Sequence, residues 1–214
     1  MIIGSNQYKN DFFNKLNFEF KKGKKILDVG CGTGTDAEIF FNEYKLKFYG
    51  VDIYEDENIK KKHFNFKLGS IEHIPYDSQS FDYIFTHDVL HHVDEKSQRK
   101  NKNIGGLKEL RRVCKEGGYI IIVEANRYNP LFYPHMVLMK GHDHLKQSYL
   151  VDLVNKVFTK DTISFRFFEA HLYPKPFLTL FKIYEYFMEH FLPKSFIAYN
   201  AAIVKKKEYE KSNT

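Results

Sequence analysis

Short apolar runs alternate with stretches of helical period along most of this chain. The runs fall at 25–29, 46–51, 65–68, 83–86, 119–123, 162–168 and 196–204, rich in Ile, Val, Phe and Tyr. Between them, apolar spacings of three and four predict helices at 36–44, 56–62, 101–114, 148–157 and 177–190. Strands and helices in alternation predict an α/β fold, a seven-stranded, mostly parallel sheet with helices on both faces. The Gly117-Gly118 pair is expected to close the helix over 101–114 as a C-cap. Pro174 and Pro176 before the last helix and Pro193 after it punctuate that helix at both ends. The connection from 125 to 147 is longer than its neighbours, and two readings stay open: a lid or binding loop, or a short helix at 132–139.

At 214 residues the chain has the size of a single domain, read as 1–214 with one half at about 20–125 and a cap with the last strands at about 126–205. Aromatic residues make up 17% with no Trp, and Lys+Arg exceed Asp+Glu by 33 to 27. The surplus is uneven: residues 125–214 carry 13 basic and 8 acidic side chains, so +5 of the net +6 lies there. No stretch approaches the roughly 20 apolar residues of a membrane span. The first 20 residues lack the apolar core of a secretory leader, and the last ten read as a frayed tail. Cys31 and Cys114 are too few for a disulfide framework, so a reducing, cytoplasmic setting is expected.

The strongest local signal is Ile26-Leu27-Asp28-Val29-Gly30-Cys31-Gly32-Thr33-Gly34, a strand running into three glycines just before a helix. Such glycines let the backbone turn sharply and come close to a ligand. Asp52 ends the next strand, near the spacing at which a carboxylate accepts from both ribose hydroxyls of a nucleoside. Asp28 would repel a pyrophosphate at the helix start but suits a cationic amine and sulfonium. The pattern therefore favours a positively charged nucleoside over a dinucleotide, against the plain alternative of a tight turn with no ligand.

From these residues onward the sequence resembles the class I S-adenosylmethionine-dependent methyltransferases, a Rossmann-like fold. The resemblance continues through 69–76, 80–93 and 107–118, covering roughly 23–125, and is closest to the small-molecule branch that includes the quinone-biosynthesis enzymes. It implies S-adenosyl-L-methionine as cofactor and S-adenosyl-L-homocysteine as product. It places Asp28, Gly30, Cys31, Gly32 and Gly34 at the methionine end, Asp52 on the ribose, Ile53, Ser70 and Ile71 around the adenine, and Thr86 and His87 on the sulfonium side. Two positions depart from the family: Ser70 stands where an acidic residue is frequent, and Glu116 where a proline usually precedes the glycines.

Candidates for moving a proton must lie near the C-terminal ends of the strands, where open α/β sheets bind ligands. His91, His92 and Glu124 are the catalytic candidates, although adjacent helical histidines point in different directions and one of them is expected to be a packing residue. Glu124 is equally readable as a pin for the segment after it. Asp88, His144 and Tyr149 are the candidate substrate contacts. His142 and His144 resemble a metal pair but lack a third ligand of convincing spacing, so no metal is expected.

In the last predicted helix Lys182, Glu185 and Glu189 form one narrow polar stripe and apolar residues cover the remainder. Such a helix is sandwiched in the core, walls an apolar substrate pocket, or buries a second face against a copy or a membrane surface. The expected function is methyl transfer to a small-molecule or lipid- or glycan-linked acceptor, apolar or anionic, by a monomer or homodimer. Peripheral membrane contact is compatible with it. The rival readings are an RNA or DNA methyltransferase, for which the positive balance is modest, and a non-catalytic binder of the same cofactor.

Overall fold

The computed structural model describes residues 5–62, 64–93, 100–139, 144–172 and 175–208. Within them seven strands form one sheet: β1 (Lys25–Val29), β2 (Lys47–Asp52), β3 (Asn65–Leu68), β4 (Phe81–His87), β5 (Cys114–Ala125), β6 (Thr162–Phe168) and β7 (Tyr199–Lys205). Their order is β3-β2-β1-β4-β5-β7-β6. The first five are parallel, and β7 lies antiparallel between β5 and β6. The expected seven-stranded, mostly parallel α/β sheet is what the chain forms.

The central strands are buried on both faces, successive side chains pointing to opposite sides of the sheet, while the edge strands β3 and β6 are partly exposed. Ile26, Phe85, Ile121 and Val123 face one core, which α1 (Ser5–Leu16) and α2 (Thr35–Asn42) cover with Phe12, Phe13 and Phe40. Leu27, Ile84, Ile120 and Ile122 face the other, covered by α5 (Lys100–Val113) and α6 (Gln147–Val157) through Leu107, Leu110, Leu150 and Val154. Much of the aromatic surplus is used in the first of these cores. Phe13 alone packs edge-on against Phe20, Phe40 and Tyr44 at 6.5, 5.3 and 5.9 Å.

Several elements depart from the pattern reading. Helix α1 was not expected; its apolar positions Tyr8, Phe12, Phe13 and Leu16 do follow a helical period, but polar residues dilute them. The expected helix over 56–62 does form, as α3 (Glu57–Lys61), and a short α4 (Leu90–Val93) carries the two adjacent histidines after β4. The Gly117-Gly118 pair does not cap α5, which ends at Val113. It forms instead an irregularity within β5, with Gly117 at φ +69°. A Cβ on Gly118 would stand 2.8 Å from the Asp82 carbonyl, so the pair serves the close passage of β5 along β4. Phe196 belongs to a 3-10 turn and β7 begins three residues later, at Tyr199. Of the two readings of the long connection, helical turns form at Tyr133–Met139; Gly141 and His142, like Pro174, lie outside the described residues.

Helix α7 (Leu178–Phe191), between β6 and β7, lies against α1 in an unusual orientation. Its polar stripe faces the protein. Glu185 is buried and receives Lys15 and Lys182, each at 2.9 Å, while Lys182 also reaches Asp11 at 2.6 Å.

Candidate functional site

The strand order reverses between β1 and β4, and the turns leaving β1 and β4 therefore diverge to open a crevice. The glycine loop forms one rim. Gly30 sits at φ +79°, and a Cβ there would collide with the Val89 side chain. Gly32, at φ +48°, has only the Tyr54 hydroxyl, 3.9 Å away, near the place a Cβ would occupy. The first glycine thus lets the loop pack on the turn after β4, and the second leaves open backbone facing the crevice. Gly34 ends the loop as the residue before α2, also left-handed.

Asp52 locks this loop. Its carboxylate accepts the Gly32 N–H at 2.8 Å and the Ile53 N–H at 2.7 Å, tying the end of β2 to the loop after β1. The cleft beside it has a volume of about 550 Å³. Gly30, Gly32, Asp52, Ile53, Ser70, Ile71, Asp88 and His92 all contribute to its wall, joined by Tyr54, Gly69, Glu72, Val89 and Val93. Tyr54 is the contributor most visible in retrospect: an exposed aromatic ring two residues past the carboxylate, beside the open glycine.

Other expected contacts lie beneath this wall. Cys31 packs its sulfur against β2, below the loop, where burial and the neighbouring Asp28 push the thiol up. Asp28 is buried within β1, and its carboxyl is held well above the usual range, first by burial and then by Asp36. Thr86 is fully buried in β4. His87 is covered by α1: its ring stacks on Phe12 at 4.5 Å and its Nδ1 lies 3.2 Å from Asp36. Burial alone would raise Asp36, but the Lys9 ammonium at 2.8 Å and His87 outweigh it and bring the carboxyl down to about 2. Beside them the Tyr8 and Tyr199 hydroxyls meet at 2.7 Å, closing α1 onto β7. Nothing in the sequence pairs these residues, because α1 itself was not foreseen.

At the ends of β4 and β5 the candidate catalytic residues do come together. Glu124 is fully buried and accepts three N–H groups: Val89 at 2.9 Å, Leu90 at 2.6 Å and, on its other oxygen, His91 Nδ1 at 2.9 Å. His91 is therefore buried, with its ring 3.9 Å from His92 and 4.5 Å from His144. His92 is exposed and faces the cleft. Asp88, at φ +56°, accepts the Ala125 N–H at 2.7 Å and so joins the two strand ends. His144, from the start of the α6 segment, is buried against this group, whereas the Tyr149 hydroxyl accepts from Asn103 at 3.1 Å and does not reach the cleft wall. Asp88, His91 and His144 each place one ligand atom within 4.8 Å of the others, the one such trio among the described residues. The spacing His142–His144 hid it, since Asp88 and His91 come from the turn after the neighbouring strand β4.

The open face of Gly32, the carboxylate of Asp52 and the two isoleucines fit a cationic nucleoside such as S-adenosylmethionine: backbone for the amino-acid moiety, an acceptor for ribose, apolar walls for a base. An open α/β sheet with its crevice at the β1/β4 switch point belongs to the Rossmann-like class. The chain belongs to the methyltransferase-domain family, whose sequence profile matches residues 20–162. It is 34% identical over 145 residues to an uncharacterised methyltransferase of Schizosaccharomyces pombe, covering 60% of this chain and 48% of that protein. It is 27% identical over 153 residues to a demethylmenaquinone methyltransferase of Bacillus mycoides, covering 66% of this chain and 59% of that one. The chain thus spans about half to three fifths of the length of these curated relatives. Its fold is that of a SAM-dependent methyltransferase from Archaeoglobus fulgidus, with a TM-score of 0.69 over 95% of both chains at 19% identity. Phosphoethanolamine N-methyltransferase 2 of Haemonchus contortus, solved with S-adenosyl-L-methionine, matches 96% of this chain and 53% of its own at a TM-score of 0.62 and 17% identity.

Proposed function

We propose that this protein transfers a methyl group from S-adenosyl-L-methionine to a small-molecule acceptor. The observation that carries the reading is the junction of Gly32, Asp52 and the cleft: an open left-handed glycine whose N–H is fixed by a carboxylate that itself forms the wall. Bound there, the cofactor supplies an electrophilic methyl group on a cationic sulfur. Asp52 holds the loop and accepts ribose hydroxyls, Ile53 and Ile71 flank the base, and Ser70 accepts from its amino group. Asp28, beneath the loop, gives up its proton to pair with the amine of the methionine moiety.

His92 faces the cleft from the side opposite the glycine loop and takes the proton of the acceptor as it attacks. His91 and Glu124 are positioning residues. Glu124 fixes the start of α4 and the His91 ring, on which His92 rests. Calorimetry with S-adenosyl-L-homocysteine tests the cofactor half, with Gly32→Val expected to abolish binding while costing about 1–3 kcal/mol of stability, the strain of a β-branched residue at φ +48°. Labelled cofactor added to a cell extract tests the transfer. Label in a nuclease-sensitive fraction, or no transfer despite tight binding, would count for a nucleic-acid enzyme or a non-catalytic binder instead. In His92→Ala, kcat should fall and the acid limb of the pH–rate profile should vanish while cofactor affinity stays unchanged.

A further inference from the structure

Helix α7 turns its polar side inward and its apolar side to solvent. Leu180, Ile183, Phe187 and Phe191 form one stripe at successive helical neighbours and are 62%, 61%, 51% and 66% exposed. A helix stabilised only by the protein would show the reverse arrangement, since the apolar face is the one that gains from leaving water. Here Lys15, Lys182 and the Glu169 N–H take up both carboxylates of α7, Glu185 and Glu189. What remains outside is apolar apart from the Glu189 carboxylate, itself paired with Lys15 and the Glu169 N–H, with Lys175 and Lys194 at the two ends of the helix.

From this we infer that the outward face of α7 docks on an anionic lipid surface. Charge selects the occupant. Residues 125–214 carry 13 basic against 8 acidic side chains, and among the described ones Glu169, Glu185 and the Asp161 side chain are buried in the fold, against Lys206 on the basic side. The excess of positive charge toward water is therefore larger than the sequence balance states. A second copy suits this face less well, since a two-fold axis lays the helices either parallel or antiparallel and sets a lysine end opposite a lysine end in both cases. At 14 residues α7 is too short to span a bilayer, and no described helix is long and apolar enough to cross one, so it lies in the interface.

The position gives the docking a purpose. Helix α7 joins β6 to β7 at the end where Phe168 and Ala125 both pair with Tyr199, the end of the sheet at which the cleft opens. Resting on the proposed methyl transfer, this assigns the acceptor to molecules held in or at the headgroup layer, an amphiphile with an apolar tail and an anionic head.

Co-sedimentation of the whole protein with vesicles tests the surface without any use of the cofactor. Vesicles of equal phosphatidylglycerol and phosphatidylcholine should carry the protein down, and phosphatidylcholine alone should not. The double variant I183E/F187E should lose binding, Lys194→Glu should weaken it about fivefold, and raised salt should weaken it further. All three positions are exposed, and unchanged S-adenosyl-L-homocysteine binding by calorimetry certifies the fold of each variant if the cleft works as proposed; unchanged melting certifies it if not. Absent binding, binding indifferent to lipid charge, or binding kept in the double variant overturns the inference. A doubled mass in ultracentrifugation that the double variant abolishes overturns it in favour of a second copy.

Discussion

The glycine-loop end of the molecule and the end where α1 meets α7 and β7 are held by different means. At the glycine-loop end the ties are main-chain N–H groups on a single carboxylate, Asp52, and no partner is more than about two strands away along the chain. At the far end the ties are side chain to side chain and join the two extremities of the fold: Tyr8 to Tyr199, Lys15 to Glu185, Lys182 to Asp11. Backbone ties fix a shape that tolerates little change of ligand, as a common cofactor demands. Side-chain ties can be exchanged one at a time, which suits a surface whose acceptor differs between proteins of one fold.

Substitutions can break that contrast. The largest effect is expected at Glu124, which belongs to neither end but joins β5 to α4. Replacing it with alanine leaves two N–H groups and a buried imidazole without their acceptor, and should cost about 3–5 kcal/mol in urea unfolding. Asp52→Ala should lower S-adenosyl-L-homocysteine affinity about 100-fold by calorimetry, the loss of charge-assisted bonds to the ligand and of the loop's anchor together. An unchanged affinity would mean that the loop is rigid without its carboxylate. At the other end, Lys15→Met should cost only about 1–2 kcal/mol, because Lys182 still neutralises Glu185.

The pH dependence of Asp28 sharpens the same comparison. Its carboxyl is raised in the folded protein, so its contribution to the stability of the unliganded chain is complete at acid pH and is lost as pH rises through the raised value. Ligand binding runs the other way: a cationic amine needs the ionised form, so affinity should fall as pH drops below that value, by at most about tenfold per unit. Calorimetry in buffers of different ionisation enthalpy should register one proton released, and Asp28→Asn should register none. The smallest effect is expected from chelation. With His92 as base, EDTA should leave turnover unchanged; loss of turnover that a divalent cation restores would give Asp88, His91 and His144 the part of metal ligands instead.

The sheet and its crevice were legible because their determinants are local. A strand, three glycines and a carboxylate some 20 residues on encode the crevice in one βαβ unit, and alternation of apolar runs encodes the strands. Helix α1 escaped notice because its value to the fold comes from partners near the other end of the chain, Glu169, Glu185 and Tyr199. The direction of α7 was open for the same reason: a helical period tells which residues share a face, not which face the protein takes. The resemblance put His87 on the sulfonium side, yet its ring is roofed by α1, and the gathering of Asp88, His91 and His144 needed a turn in left-handed conformation that sequence spacing does not announce.

Strand β7 lies between β5 and β6 although it follows both in the chain. During synthesis on a ribosome, β5 must wait with one edge unpaired, and β6 with no strand partner at all, until residues 199–205 emerge. The glycine loop and Asp52 lie in parallel strands that have all been made long before. A nascent chain can therefore carry a formed cofactor crevice while its acceptor side is still open, and an arrest just short of Tyr199 should leave the half most exposed to aggregation.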